Sequence, residues 1–389
     1  MSQLALGQAE PEESGIVPEC SAAMLSIDLR ALQGNWRTLA RQAAPAECAG
    51  VVKADAYGLG IGPCATALWA AGSRSFFVAL PQEGIALRAA VPDAAIYVLD
   101  GLLPGLGHLY LEHRLTPALA SLDEIAEWTA VARQQGSKMK AALHIDTGIN
   151  RLGLSTVEVR SLAARPDPLD SFDVTLVLSH LACADDPGAE MNARQRQTFE
   201  DVRAMLPPGR ASLANSAAIF LGEDFVYDLV RAGVALYGGN PFSHRPNPMA
   251  PVVHLYATIL QVRELAVGEA VGYGAEWRAE RPSRIGVIGV GYGDGFPRAL
   301  SSASHGGPAQ VYIAGHFAPI VGRISMDLIT IDLTDVPDQL VRRGARIELL
   351  GDHITVDDVA HWAATIPYEI LTGLGSRFSR LYSEFESPR

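Results

Sequence analysis

Apolar and polar positions fall into two textures along the chain. From about residue 50, short apolar runs rich in β-branched and aromatic residues alternate with stretches whose apolar positions recur at helical spacing. The strand-like runs 50–52, 76–80 and 96–99 are followed by helical stretches at 63–71, 83–90 and 106–112. Run 116–120 leads into 121–135, where Ser121 and Glu124 have capping-box spacing and Gly136 stops the helix. Runs 141–145, 174–179, 211–214 and 229–232 precede 157–164, 189–205, 216–221 and a weak helix at 234–237. Eight such units predict an α/β fold, a closed (β/α)8 TIM-like barrel; a doubly wound open sheet gives the same alternation with fewer strands. Ahead of them, 24–27 reads as a strand. Asp28 then caps a helix carrying Leu29, Leu32, Trp36 and Leu39 on one face.

Beyond Asn240 the texture changes. The segment PFSHRPNPMAP reads as a linker. Strand-like runs follow, including 285–290, 310–313, 328–333 and 346–350, with turns at Gly268, Gly286, Gly291–Gly295, Gly306-Gly307, Gly315 and Gly351. They predict a C-terminal mainly β domain with one late helix, 355–364. The division is a flexible tail at 1–22, a barrel over 23–247 whose first strand is free to pack with the β domain, and the β domain over 248–389.

The 389 residues and 48% hydrophobic content are enough for a large core plus a second unit. A formal charge of −12 argues against nucleic acid or an anionic membrane surface as partner. An anionic small ligand therefore needs a local positive site. No apolar run approaches the ~20 residues of a membrane span. The start of the chain carries acids and lacks an apolar signal core. Cys20, Cys48, Cys64 and Cys183 show no metal-ligand spacing and no disulfide density, which fits a reducing cytoplasm and no metal.

Candidate chemistry sits at the ends of the barrel runs. Lys53 terminates the first, as either a solvated end residue or an amine in a dry pocket, where a lowered pKa makes it a base or a Schiff-base nucleophile. The seventh run ends in Ala214-Asn215-Ser216, a small hydroxyl residue opening a helix, and the eighth in Arg231-Ala232-Gly233, where a glycine lets backbone N–H approach an anion. In a closed barrel the eighth strand adjoins the first. A phosphate there, within reach of an amine, is the arrangement pyridoxal 5′-phosphate needs. Read alone, Ser216 is equally an N-cap and Arg231 a paired surface arginine. Opposite a pyridine nitrogen, Arg231 would leave that nitrogen unprotonated and the ring a weaker electron sink.

The segment VVKADAYGLG resembles the cofactor-lysine motif of the pyridoxal-phosphate-dependent alanine racemases. In order, HIDTGINRLG, LSHLACAD, ANSAA, VRAGVALYG, VGYGAEW, GYGDGFPR, GRISMDLITIDL and PYEILTGL look like further segments of that family, from about Met24 to the end. The resemblance implies a racemase interconverting L- and D-alanine, supplying D-alanine for peptidoglycan or serving alanine catabolism. It also implies a head-to-tail homodimer with active sites shared between chains. Lys53 would carry the cofactor as an aldimine and act as base on one face of the substrate; Tyr273, from the partner chain, would act on the other. Ser216, Gly233, Val234 and Tyr368 match phosphate contacts, Tyr57 and His180 groups around the cofactor, and Arg231 the pyridine-nitrogen partner. Arg151 and Met326 match positions that hold the substrate carboxylate, and Tyr292 an aromatic at the entrance. His180 also reads as a buried core histidine, Met326 as core packing and Tyr273 as a turn aromatic. One departure is His144, where many members place a lysine, often carbamylated; a histidine cannot supply that anion. Asp55 and Leu59 replace the asparagine and histidine common in the lysine motif. Two rivals are a pyridoxal-phosphate-binding protein without turnover and a barrel decarboxylase. The β domain with Tyr273 argues against the first and Arg231 against the second.

Overall fold

Asp28 ends strand β1 (Ala23–Ile27) and starts helix α1 (Leu29–Ala43). Its carboxylate accepts the N–H groups of Arg30 and Ala31 at 2.8 and 3.0 Å, the expected N-cap. The computed structural model describes residues 22–242, 245–301 and 308–384, so nearly all of the expected tail and the Gly306-Gly307 turn lie outside the described residues. Leu29, Leu32 and Leu39 bury one stripe of α1. Gln33 and Asn35 on that helix are buried too, and both are satisfied. Gln33 donates to the Ala67 carbonyl, and Asn35 pairs with Ala250 and the Leu236 carbonyl.

The barrel strands are β2 (Glu47–Val51), β3 (Ser75–Val78), β4 (Ala95–Val98), β5 (Leu115–Leu119), β6 (Met139–His144), β7 (Phe172–Leu178), β8 (Arg210–Ser212) and β9 (Leu229–Ala232). They run parallel in chain order, and β9 returns to pair with β2. Between β8 and β9, Asp228 N–H donates to the Ala211 carbonyl and Arg231 N–H to that of Ala214. The sheet thus has no free edge. Parallel strands covered by helices are buried on both faces, hence the unbroken apolar runs: Phe76, Phe77 and Val78 are all fully buried. Each such side chain contributes roughly 1.5–3 kcal/mol. The expected helices after β8 and β9 are single 3₁₀ turns, Ala218–Phe220 and Val234–Tyr237. Gly222 and Gly238, both at positive φ, turn the chain away after them.

The second domain is organised on the thirteen-residue strand β10 (Val253–Leu265). It pairs antiparallel with β1, Ser283–Ile288 and Arg346–Leu350. Strand β1 therefore belongs to this sheet, where it also pairs in parallel with Ser379–Tyr382. Thr355 caps the late helix, Val356–Trp362, through a reciprocal box with Asp358. A further helix, Pro367–Gly373, was not legible beforehand. It carries Tyr368 back over the barrel mouth. Among the described residues no helix is long and apolar enough to cross a membrane.

Candidate active site

Strand β2 delivers Lys53 to the rim of a cavity of about 520 Å3 at the C-terminal end of the barrel. Burial pushes the Lys53 ammonium below its ordinary range, helped by the Arg151 charge and opposed by Asp100 and Glu83. The next four residues, Ala54, Asp55, Ala56 and Tyr57, all have φ between 52 and 57°, so the chain makes one turn of left-handed helix. Ala56 N–H closes on the Val52 carbonyl and Gly60 N–H on that of Asp55. Asp55 also accepts the Ile61 N–H at 2.7 Å, which gives the carboxylate at this motif position a structural role.

The turn places Tyr57 inside the site, its ring 4.6 Å from Tyr237 and 5.9 Å from Tyr368. Tyr237 in turn donates to the Val51 carbonyl. The last strand supports the turn from below: Tyr382 donates to the Leu59 carbonyl and Arg380 to that of Gly58.

Opposite, two loops converge. Ser216 does not cap its own turn; Asn215 does, accepting the Ala218 N–H. The Ser216 hydroxyl instead accepts the N–H groups of Gly233 and Ala235 at 2.8 and 3.4 Å. Backbone donors and a hydroxyl thus crowd one corner of the cavity, beside buried Val234. Arg231 is buried rather than surface-paired. Its guanidinium donates to the Ser212 carbonyl and hydroxyl and to the carbonyls of Ser179 and Leu213. Burial pushes its pKa down to about 10, so it stays charged at neutral pH. Arginine only donates, so the 3.2 Å contact between Arg231 Nη2 and His180 Nδ1 fixes the His180 proton on Nε2. Burial and the nearby Arg231 and Arg151 hold His180 down to about 3, and it is neutral.

His144, at the end of β6, is also buried and neutral, pushed down to about 4 by burial and the same two arginines. Among the described residues neither of its ring nitrogens has a hydrogen-bond partner. Arg151 reaches the cavity from a loop bound by Asp146, whose carboxylate accepts the Gly148 and Asn150 N–H groups. Buried Gln195 ties that loop to the next: it donates to Thr147 Oγ1 and the His180 carbonyl and accepts the Ala182 N–H. Lys53, Arg151 and Arg231 against Asp100 make a locally cationic mouth on an acidic chain.

One chain thus brings together Lys53, Tyr57, Arg151, His180, Ser216, Arg231, Gly233, Val234 and Tyr368. It does not bring Tyr273, Tyr292 or Met326. These lie exposed on the β domain, with Tyr292 N–H bonded to the Ser325 carbonyl and Gly293 N–H to that of Met326. Tyr273 lines a separate hollow that includes Arg323 and Ser325. Of the polar cavity residues, Asp100 escaped sequence reasoning, and Asn215 was read only as part of the strand end that opens on Ser216. The rule that barrel sites sit just past strand ends would have found both.

Family profiles match the chain as alanine racemase, N-terminal domain, over residues 27–241 and alanine racemase, C-terminal domain, over 252–382. It is 51% identical to an alanine racemase of Methylobacterium nodulans across 94% of this chain and 97% of that protein. It is 45% identical to the biosynthetic alanine racemase of Agrobacterium fabrum, covering 92% and 93% of the two chains. Among solved structures, the Bartonella henselae alanine racemase with covalently bound pyridoxal phosphate superposes with a TM-score of 0.89, at 41% identity, over 93% of this chain and all of that one. With both halves matched in sequence and in three dimensions, the chain belongs to the alanine racemase family.

Proposed function

We propose that the protein interconverts L- and D-alanine, with pyridoxal 5′-phosphate held at Lys53 and a second base contributed by Tyr273 of the partner subunit. The observation that carries this reading is the cationic cavity, with a half-buried amine on one wall and a hydroxyl with two backbone N–H groups on the other. The residues present fit the cofactor. Ser216, Gly233, Val234 and Tyr368 would hold the phosphate, and the space at Gly233 admits no side chain. Arg231 would face the ring nitrogen, and its charge leaves it no proton to accept.

When bound, pyridoxal phosphate supplies the electron-accepting ring that makes the alanine α-proton removable. Arg151, whose guanidinium makes no hydrogen bond or ion pair among the described residues, would pair with the substrate carboxylate. The Lys53 amine takes or returns the α-proton on one face, and the partner subunit's Tyr273 does so on the other. A turnover leaves the α-proton on one base and takes a proton from the other, and the pair is reset by proton exchange with solvent. Neutral His180 holds Arg231 through Nδ1 without competing for that proton.

The exposure of Tyr273, Tyr292 and Met326 on one domain, away from their own Lys53, supports a head-to-tail homodimer in which that surface covers a neighbouring mouth. Mixing tests it. Lys53→Ala and Tyr273→Phe proteins, each inactive, should on subunit exchange regain about a quarter of the wild-type rate, from hybrids with one intact site. Activity is read by chiral analysis of L-alanine incubations. A mixture as inactive as its parents would place both bases in one chain and overturn the shared site.

A further inference from the structure

Glu83, in the first turn of the helix Pro81–Ala90, caps it, its Oε2 accepting the Ala79 and Leu80 N–H groups at 2.8 and 3.1 Å. Its other oxygen leaves that helix altogether. Oε1 accepts the N–H of Ala54, the residue after Lys53, at 2.6 Å. That bond joins two successive strand-to-helix loops of the barrel at the first residue of the left-handed turn. Non-glycine residues in that conformation cost roughly 1–2 kcal/mol each, and four follow one another here. Such a turn persists only where the surroundings over-determine it.

We propose that Glu83 is a positioning residue for Lys53: by clamping the Ala54 amide it holds the left-handed turn and aims the amine into the cavity. Capping alone needs only one of its oxygens. The second oxygen spans from one βα unit to the next and acts on the backbone that carries Lys53. The inference rests on the proposed role of Lys53, and it concerns how that residue is held.

The chain has three lysines, Lys53, Lys138 and Lys140, so 13C-dimethylated apoprotein gives a spectrum in which Lys53 can be followed alone. Glu83→Gln keeps a capping oxygen toward Ala79 and Leu80 but turns an NH2 against the Ala54 N–H. It also removes a negative charge near Lys53, so the Lys53 midpoint should fall below wild type. Capture of pyridoxal phosphate by the apoprotein, measured on the high-pH plateau where the amine is fully deprotonated, should slow about tenfold or more. Adding Ala54→Gly, which relaxes the first left-handed residue, should restore the plateau rate while leaving the midpoint shifted. Glu83→Asp, shorter but still charged, should slow capture with less effect on the midpoint. Wild-type plateau rates in Glu83→Gln and Glu83→Asp, or no rescue by Ala54→Gly, would overturn the clamp. Should the wild-type apoprotein itself fail to capture pyridoxal phosphate, the functional reading falls instead. The clamp is then tested by the rate of formaldehyde methylation at Lys53 in the same variants.

Discussion

Tyr57 Oη stands 2.5 Å from the point a Cβ on residue 233 would occupy. The backbone at Gly233 has negative φ, and the place a side chain would take there is filled by the Tyr57 hydroxyl. Gly233→Ala should push Tyr57 off the cavity wall and disturb the Gly233 N–H to Ser216 bond. Overpacking of this kind costs about 1–3 kcal/mol, which predicts a roughly ten- to hundredfold loss of pyridoxal phosphate affinity. Tyr57→Phe in the same chain removes the hydroxyl and should recover part of it. An absorbance titration of apoprotein with cofactor measures both, and unchanged affinity in the single variant would refute the packing argument.

Arg231 belongs to the fold as well as to the site. Its bonds to Ser179, Ser212 and Leu213 join the ends of three neighbouring strands. Replacing it with Glu would face those carbonyls with a buried carboxylate, so a loss of about 3–5 kcal/mol of stability is expected. Urea denaturation reads it. A variant as stable as wild type would mean that these contacts do not hold the barrel mouth.

Acid should destabilise the protein in a window set by two histidines. In the folded chain His180 and His144 protonate only near pH 3 and 4, against an ordinary value of 6.5. The unfolded chain therefore binds more protons as pH falls from about 6.5 toward about 4 for His144 and about 3 for His180, and stability is lost over that range. The contribution is fully present above it. His144→Asn should flatten the fall in melting temperature between those limits relative to wild type. Parallel pH curves for the two proteins would show that His144 is not held neutral.

The barrel was legible because its strands, buried on both faces, are short unbroken apolar runs between helical stretches. Where the sequence reading began a strand late, the local chemistry explains it. Strand β2 starts at Glu47, a charged residue kept there by its 2.7 Å pair with Arg210. The left-handed turn left no trace, since alanines at 54 and 56 are ordinary helix formers and composition does not encode hand. Lys53, Ser216 and Gly233 stood out by their places at strand ends, whereas the role proposed for Tyr273, on an exposed turn outside its own chain's cavity, rests on family resemblance alone.

The turn after Lys53 also has a stereochemical reading. Its torsions are those of a right-handed α-helix seen in a mirror, so its strain comes from the configuration of Ala54, Asp55, Ala56 and Tyr57 and not from their hydrogen bonds, which are intact. A chain assembled by semisynthesis with D-alanine at 54 and 56 would meet no such penalty there. At this one place, the backbone that presents the amine is shaped for residues of the opposite hand from those that build it.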